Sequence, residues 1–373
     1  MSLADRGASR SRSDGKDGAV LTWLLQGDPS IRWQVLADLV GAAQDEIDAE
    51  RARVAVQGWG ARLLAAQSAD GQWAHGLYSP KWTSTTYTLL LLHWLGLPRG
   101  DPRAIAGCRQ VWDGARFFNG GLTLAKSIRQ AETCITAMLI LVASSFGLDD
   151  DRLDPAVQWL CDQQLADGGW NCESIRSGSR HGSFNTSISV LDALLQYQKS
   201  GGRIPVSGSM DSGRTFFLDH RLYRSHRIGE MVNAAFTRFP FPPQWHFDVL
   251  RGLDHFRAAG AATDPRLGDA VDDIGRACRD DGRWPAYAAH PGKTWIRMEP
   301  AGPSRWTTLR ALRVLQWWDQ DRQTPSQVGD QVRGQGLCSH RRRGGVDTVT
   351  PRGQAVEPPN TLPAVTGLDA GLC

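Results

Sequence analysis

Apolar residues recur along most of the chain at helical spacing, and strand-like alternation is scarce. The stretch "GDPSIRWQVLADLVG" opens the pattern, with Asp28 as N-cap, Pro29 in the first turn, and Ile31, Val35, Leu36 and Leu39 on one face. From there a two-helix unit repeats. Unit one runs from "RLLAAQ" through the turn "SADGQW" to "TTYTLLLLHWLG", and unit two pairs "DPRAIAGCRQVW" with "AETCITAMLILVASSFG" across a degenerate turn, "FFNGGL". Unit three pairs "DPAVQWLCDQQLADGGW" with "FNTSISVLDALLQYQ", unit four "RTFFLDHRLYR" with "WHFDVLRGLDHFRAAG", and unit five "DPRLGDAVDDIGRACRDDGRW" with "RWTTLRALRVLQWW". Thr86, Thr136 and Thr186 fall at intervals of 50, each near the start of a second helix, which marks a repeat architecture.

The first helix of each unit is amphipathic and the second is apolar nearly all round. A helix apolar on every side is buried on every side. The pattern therefore predicts an all-α fold over residues 19–322, an (α/α) toroid of five to six helix pairs with apolar helices inside and amphipathic ones outside. The starts of the inner helices and the loops before them are expected at one mouth, where converging helix N-termini attract anions. Residues 1–18 are polar, and residues 325–373 are rich in Gly, Arg, Pro and Thr without an apolar period; both segments are expected to be disordered.

Composition narrows the function classes. The net charge is +3, and the only lysines are Lys16, Lys81, Lys126, Lys199 and Lys293. An arginine bias spread over the whole chain is no nucleic-acid footprint. The seven cysteines are scattered and odd in number, and no apolar leader stands at residues 1–18, so reduced thiols and a cytoplasmic location are expected. The longest apolar run, "TLLLLHWLGL", is far shorter than the roughly 20 residues of a membrane span.

Gln67-Ser-Ala-Asp-Gly-Gln-Trp73 and Gln164-Leu-Ala-Asp-Gly-Gly-Trp170 share the form Gln-x-x-Asp-Gly-x-Trp, and Cys278-Arg-Asp-Asp-Gly-Arg-Trp284 keeps all but the Gln. The motif resembles the Gln-Trp repeat of squalene and hopene cyclases, and more broadly the α/α-toroid superfamily of terpenoid cyclases and protein prenyltransferase β subunits. The resemblance spans about residues 20–320, and "SPKWTSTTYTLLLL" and "DGGWNC" are similar to stand-alone bacterial prenyltransferase-like or squalene-cyclase-like proteins. Asp-Gly makes a tight turn, and the Gln and Trp side chains are expected to fasten neighbouring outer helices.

The resemblance implies a catalytic acid in an Asp-x-Asp-Asp-Thr motif at an inner-helix start. Here the corresponding stretch is Glu132-Thr-Cys134-Ile-Thr136, so Glu132 is the candidate acid and the central acid has become a cysteine. His246 and Asp248, before the fourth inner helix, are a candidate acid/base pair. The acidic run "LDDDRLD" reads as a solvated helix cap. Trp82, Tyr87, Phe184, Trp245 and Trp306 stand near inner-helix starts as candidate pocket aromatics, and Arg305, with Lys81, Arg227 and Lys293, as an anion contact. Protein prenyltransferases and lanthionine cyclases of this fold hold zinc through Asp, Cys and His or two Cys and one His; Cys134, Cys172 and His181 are the corresponding candidate Zn2+ ligands. The functional expectation is an enzyme handling an isoprenoid-like or other elongated apolar substrate in a central cavity. A zinc-dependent transferase and a non-catalytic lipid- or peptide-binding toroid are the alternatives.

Overall fold

The computed structural model describes residues 18–323; segments 1–17 and 324–373, on which the two expected disordered ends fall, lie outside the described residues. The helices are α1 (residues 18–25), α2 (Pro29–Val35, continued by a π turn Leu36–Val40), α3 (Gln44–Ala52), α4 (Gly58–Ala65), α5 (Thr85–Leu95) and α6 (Pro102–Gly114). They continue as α7 (Thr133–Phe146), α8 (Leu153–Asp162), α9 (Glu173–Ser177), α10 (Phe184–Lys199), α11 (Ser207–Asp219), α12 (Val249–Ala258), α13 (Gly268–Arg276) and α14 (Arg305–Gln323). The stretch "FFNGGL" is a hairpin rather than a bare turn: β1 (Arg116–Phe118) pairs antiparallel with β2 (Gly121–Thr123), with Phe117 opposite Leu122. Asn119 and Gly120 both take positive φ, 52° and 102°, as a two-residue hairpin turn requires.

Six inner helices form a closed ring. α5 packs on α7, α7 on α10 and α10 on α12. The indole of Trp33 in α2 donates to the Leu95 carbonyl at the end of α5 (2.9 Å). Arg313 of α14 bridges to Asp254 of α12 on one side and to Gln34 and Asp38 of the first inner helix on the other (2.9 and 3.0 Å). The last inner helix thus meets the first. The all-α toroid expected from the pattern is present, with all of α7 except Ser145 buried.

The Asp-Gly-x-Trp turns show how outer helices are fixed to this ring. Trp73, Trp170 and Trp284 are fully or almost fully buried, and each indole donates to the carbonyl ten residues earlier, on Leu63, Leu160 and Ile274 (2.7–2.8 Å). Each backbone N–H donates to a hydroxyl in the first turn of the next inner helix, on Thr85, Ser187 and Thr308 (2.8–3.0 Å). Gln67 reaches forward to the Arg103 carbonyl on α6 and Gln164 to the Ser209 carbonyl on α11. Those next outer helices present glycines: a Cβ on Gly107 would lie 2.6 Å from the Trp73 ring, and one on Gly213 2.7 Å from the Trp170 ring. One tryptophan therefore ties two outer helices and an inner one.

Two stability outcomes follow from this staple. Trp170→Ala is expected to lower the unfolding free energy by about 3–5 kcal/mol in urea titrations, and Gly213→Ala, which overpacks the ring, by about 1–3 kcal/mol. A loss under about 1 kcal/mol in both variants would show that the turn does not fasten the helices.

Candidate functional site

Inside the ring lies a chamber of about 420 Å³, a size ordinary for small-molecule sites. It sits mainly among the C-terminal halves of the inner helices, reached by His93 and Trp94 of α5, Ser145 of α7, and Asp192, Leu195 and Lys199 of α10. The N-terminal mouth, where the site was expected, is packed with rings. Trp82 meets Tyr87 edge-on at 4.8 Å, and its indole donates to the Pro291 carbonyl (2.8 Å). His246 is stacked between Trp245 (3.7 Å) and His290 (3.6 Å). Trp295 donates to Thr88 (3.0 Å), so the loop before α14 lies across the start of α5.

The chamber wall is charged. Asp192 lies between Arg251, whose Nη2 is at 2.9 Å, and His255, whose Nδ1 is at 3.1 Å. Asp254 receives Arg257 (2.9 Å) and Arg313. Asp38, carried on the π turn that ends the first inner helix, receives Arg257 and Arg313 at 3.5 and 3.0 Å. Burial raises the carboxyls of Asp192 and Asp254, but Arg251 and His255 at the first and Arg313 and Arg257 at the second outweigh it, so both are held below the ordinary carboxylate range. His93 bonds Ser145 Oγ (2.8 Å); desolvation first, then Arg51, Arg251 and Lys199, push its pKa to about 4 against the pull of Asp192. The apolar part of the wall includes Phe241, stacked on Trp306 at 3.8 Å, together with Leu195, Trp33 and Trp94.

Of the aromatics expected to line a pocket, Trp306 reaches this chamber. Phe184 packs among Phe216, Phe217, Phe236 and Phe247 and does not line the chamber. Arg305 turns outward, its guanidinium 4.5 Å over Trp23 and its Nε donating to the Trp23 carbonyl. Lys81 lies over Trp82 and Trp245, while Arg227 and Lys293 are exposed. His246 and Asp248 precede α12 and do not bond each other: Asp248 caps the helix through the Arg251 N–H (2.7 Å), whereas His246 belongs to the ring stack. In the acidic run, Asp150 binds Arg152, and Asp154 takes Tyr197 Oη and Arg203.

Glu132 is the N-cap residue of α7, buried, and bonded to Thr123 Oγ1. Desolvation raises its pKa, opposed by that bond. Cys172 comes against the Cys134 N–H (3.1 Å) and Thr186 Oγ1 (3.5 Å), and burial drives its thiol up to about 12. His181 sits on the exposed loop after α9, its carbonyl held by Asn171. Among the described residues no group of three or more His, Cys, Asp or Glu side chains is arranged to hold a metal.

The chamber residues Asp192, Arg251, Asp254, His255, Arg310 and Arg313 were not singled out by the sequence reading. Their signal is present nonetheless: "SVLDALL", "DVLRGLDHF" and "TLRALRV" each put charges inside a helix that ring geometry buries.

No protein-family model matches the chain, and no curated protein matches it in sequence. Among solved structures it is similar to the apo form of the type II terpene cyclase MstE from Scytonema, at TM-score 0.29 and 13% identity, over 72% of this chain and 96% of that one. A likeness that loose leaves the fold to be argued from the helix contacts above. Among the described residues no helix is long and apolar enough to cross a membrane.

The half-buried, stacked pair His246 and His290 sets a pH dependence. Desolvation, joined at His246 by repulsion from His290, lowers His246 to about 3, and desolvation alone lowers His290 to about 4. Because their folded pKa values lie below the unfolded value of about 6.5, the stability they contribute is complete above that pH and is lost as protons bind to the unfolded chain on descending toward pH 4. The urea midpoint is expected to be flat above pH 7, to fall between pH 6.5 and 4.5, and to fall less steeply in His290→Phe. An unchanged slope in that variant would remove the stacked pair as the cause.

Proposed function

We propose that the protein is a terpenoid-cyclase-like toroid that takes a small amphiphilic molecule into its central chamber. The observation that carries this reading is the chamber itself: a ring of six helices lining a partly open pocket of about 420 Å³, with Phe241, Trp306 and Leu195 beside a belt of paired charges. A wholly apolar tunnel would suit a polyprenyl chain alone; this wall suits a ligand with one apolar and one polar part. Trp33, Trp94 and Trp306 line the chamber and supply an optical reporter. Titration with octyl phosphate and with 1-octanol is expected to change tryptophan emission, and Leu195→Trp, which fills the chamber, to weaken both responses at least tenfold. Identical binding curves for the variant and the parent chain would mean the ligand binds elsewhere.

A second reading is supported by Glu132. A carboxyl raised by burial at the start of an inner helix is suited to donate a proton, as in proton-initiated cyclisation of an isoprenoid. In deuterated water, incubation with a linear C15 isoprenoid alcohol is expected to give deuterium-bearing products, and Glu132→Gln to give none. Products that persist at the parent rate in Glu132→Gln would rule out that acid.

A further inference from the structure

The charges that line the chamber do not balance, and the most loosely matched of its paired arginines is Arg310. Among the described residues six basic side chains line the chamber against three carboxylates. Arg251 is matched by Asp192, and Arg257 and Arg313 by Asp38 and Asp254. Arg51 and Lys199 donate to the carbonyls of Gly96 and Ala258, where α5 and α12 end. Cations at helix C-termini serve as caps. Arg310 is left with a single long contact, to the buried Asp248, which does not itself line the chamber.

Its side chain is 6% exposed, and its Nη1 has no partner among the described residues. The carboxylate it approaches, Asp248 at 3.5 Å, already accepts the Arg251 N–H at 2.7 Å. Burial also pushes the Asp248 carboxyl toward its neutral form, against the pull of Arg310. A guanidinium keeps its charge at any physiological pH, and a buried N–H without an acceptor is costly unless something fills the gap. The Nε of Arg313, one turn further along α14, also lacks a partner among the described residues.

We propose that the chamber is an oxyanion site, in which the phosphate or carboxylate head of a small organic molecule pairs with Arg310 while its apolar part lies against Phe241, Trp306 and Leu195. This rests on the chamber being the binding site and adds the chemistry of the ligand. The helix ends around the chamber are mainly C-terminal and partly negative, so side chains and not backbone N–H groups supply the attraction. The bidentate fork of arginine suits both heads.

Tryptophan emission titrations with octyl phosphate, octanoate, 1-octanol and inorganic phosphate test the assignment. In the parent chain the two anions are expected to bind at least tenfold tighter than 1-octanol. Arg310→Gln is expected to bring the three within about twofold of one another without weakening 1-octanol, and Arg310→Lys to keep part of the preference. Inorganic phosphate binding with the same loss in Arg310→Gln would support the site with a free anion as its occupant. Equal binding of octyl phosphate and 1-octanol by the parent chain overturns the oxyanion assignment while leaving the chamber as a binding site, and it does so whether or not Arg310→Gln folds. A preference that persists in a folded Arg310→Gln overturns the role of Arg310. Failure of all three octyl probes to bind the parent chain removes the chamber reading and this inference together.

Discussion

Everything about the chamber depends on ring closure, and closure depends on Arg313. The last inner helix has to meet the first across 275 residues of chain, and Arg313 spans the junction by binding Asp38 on one side and Asp254 on the other. A buried ion pair is a poor source of net stability, because desolvation consumes most of its Coulomb energy. Breaking one is a different matter, since the surviving charge is left buried and unmatched. The network therefore acts as a condition on geometry: only the register in which α2, α12 and α14 converge satisfies all of its members. Apolar helices would tolerate sliding; this junction does not.

The same network keeps the centre of the ring from collapsing into an ordinary core. Around α5 and α7 the helices bury aliphatic side chains on all sides, and no charge interrupts the packing. Around α10, α12 and α14, charged side chains face inward and hold a polar chamber open among them. At the opposite end, aromatic rings and the loop before α14 fill the space. The toroid is thus closed at its N-terminal mouth and hollow toward its C-terminal ends, and Arg310 stands in the hollow part with an unused donor.

The fold was legible in the sequence because its signals are local. Asp28 and Pro29 announce α2, the Asp-Gly turns announce the corners, and Gly71 and Gly168 take φ of 85° and 84°, which a side chain would strain. The site was less legible for a physical reason. The family resemblance implies a site at the inner-helix starts, where Trp82, Trp245 and His246 instead fill space. The chamber residues come from helices far apart in sequence, and each alone looks like an unremarkable surface charge: Asp192 and Arg251 are 59 residues apart, yet bond. What betrays them is a contradiction, a charged side chain in a helix that the repeat obliges to be internal. That contradiction becomes visible once the inner and outer roles of the helices are assigned, and "TLRALRV" and "DVLRGLDHF" state it in the sequence.

The measurement that bears most directly on a hollow, anion-holding ring is a crystal structure of the protein soaked in selenate, whose selenium is located by anomalous scattering. An anion held in the chamber gives an anomalous peak inside the ring, within hydrogen-bond distance of Arg310 Nη1, absent in Arg310→Gln crystals. Peaks confined to the outer surface, with side chains occupying the chamber, would contradict it.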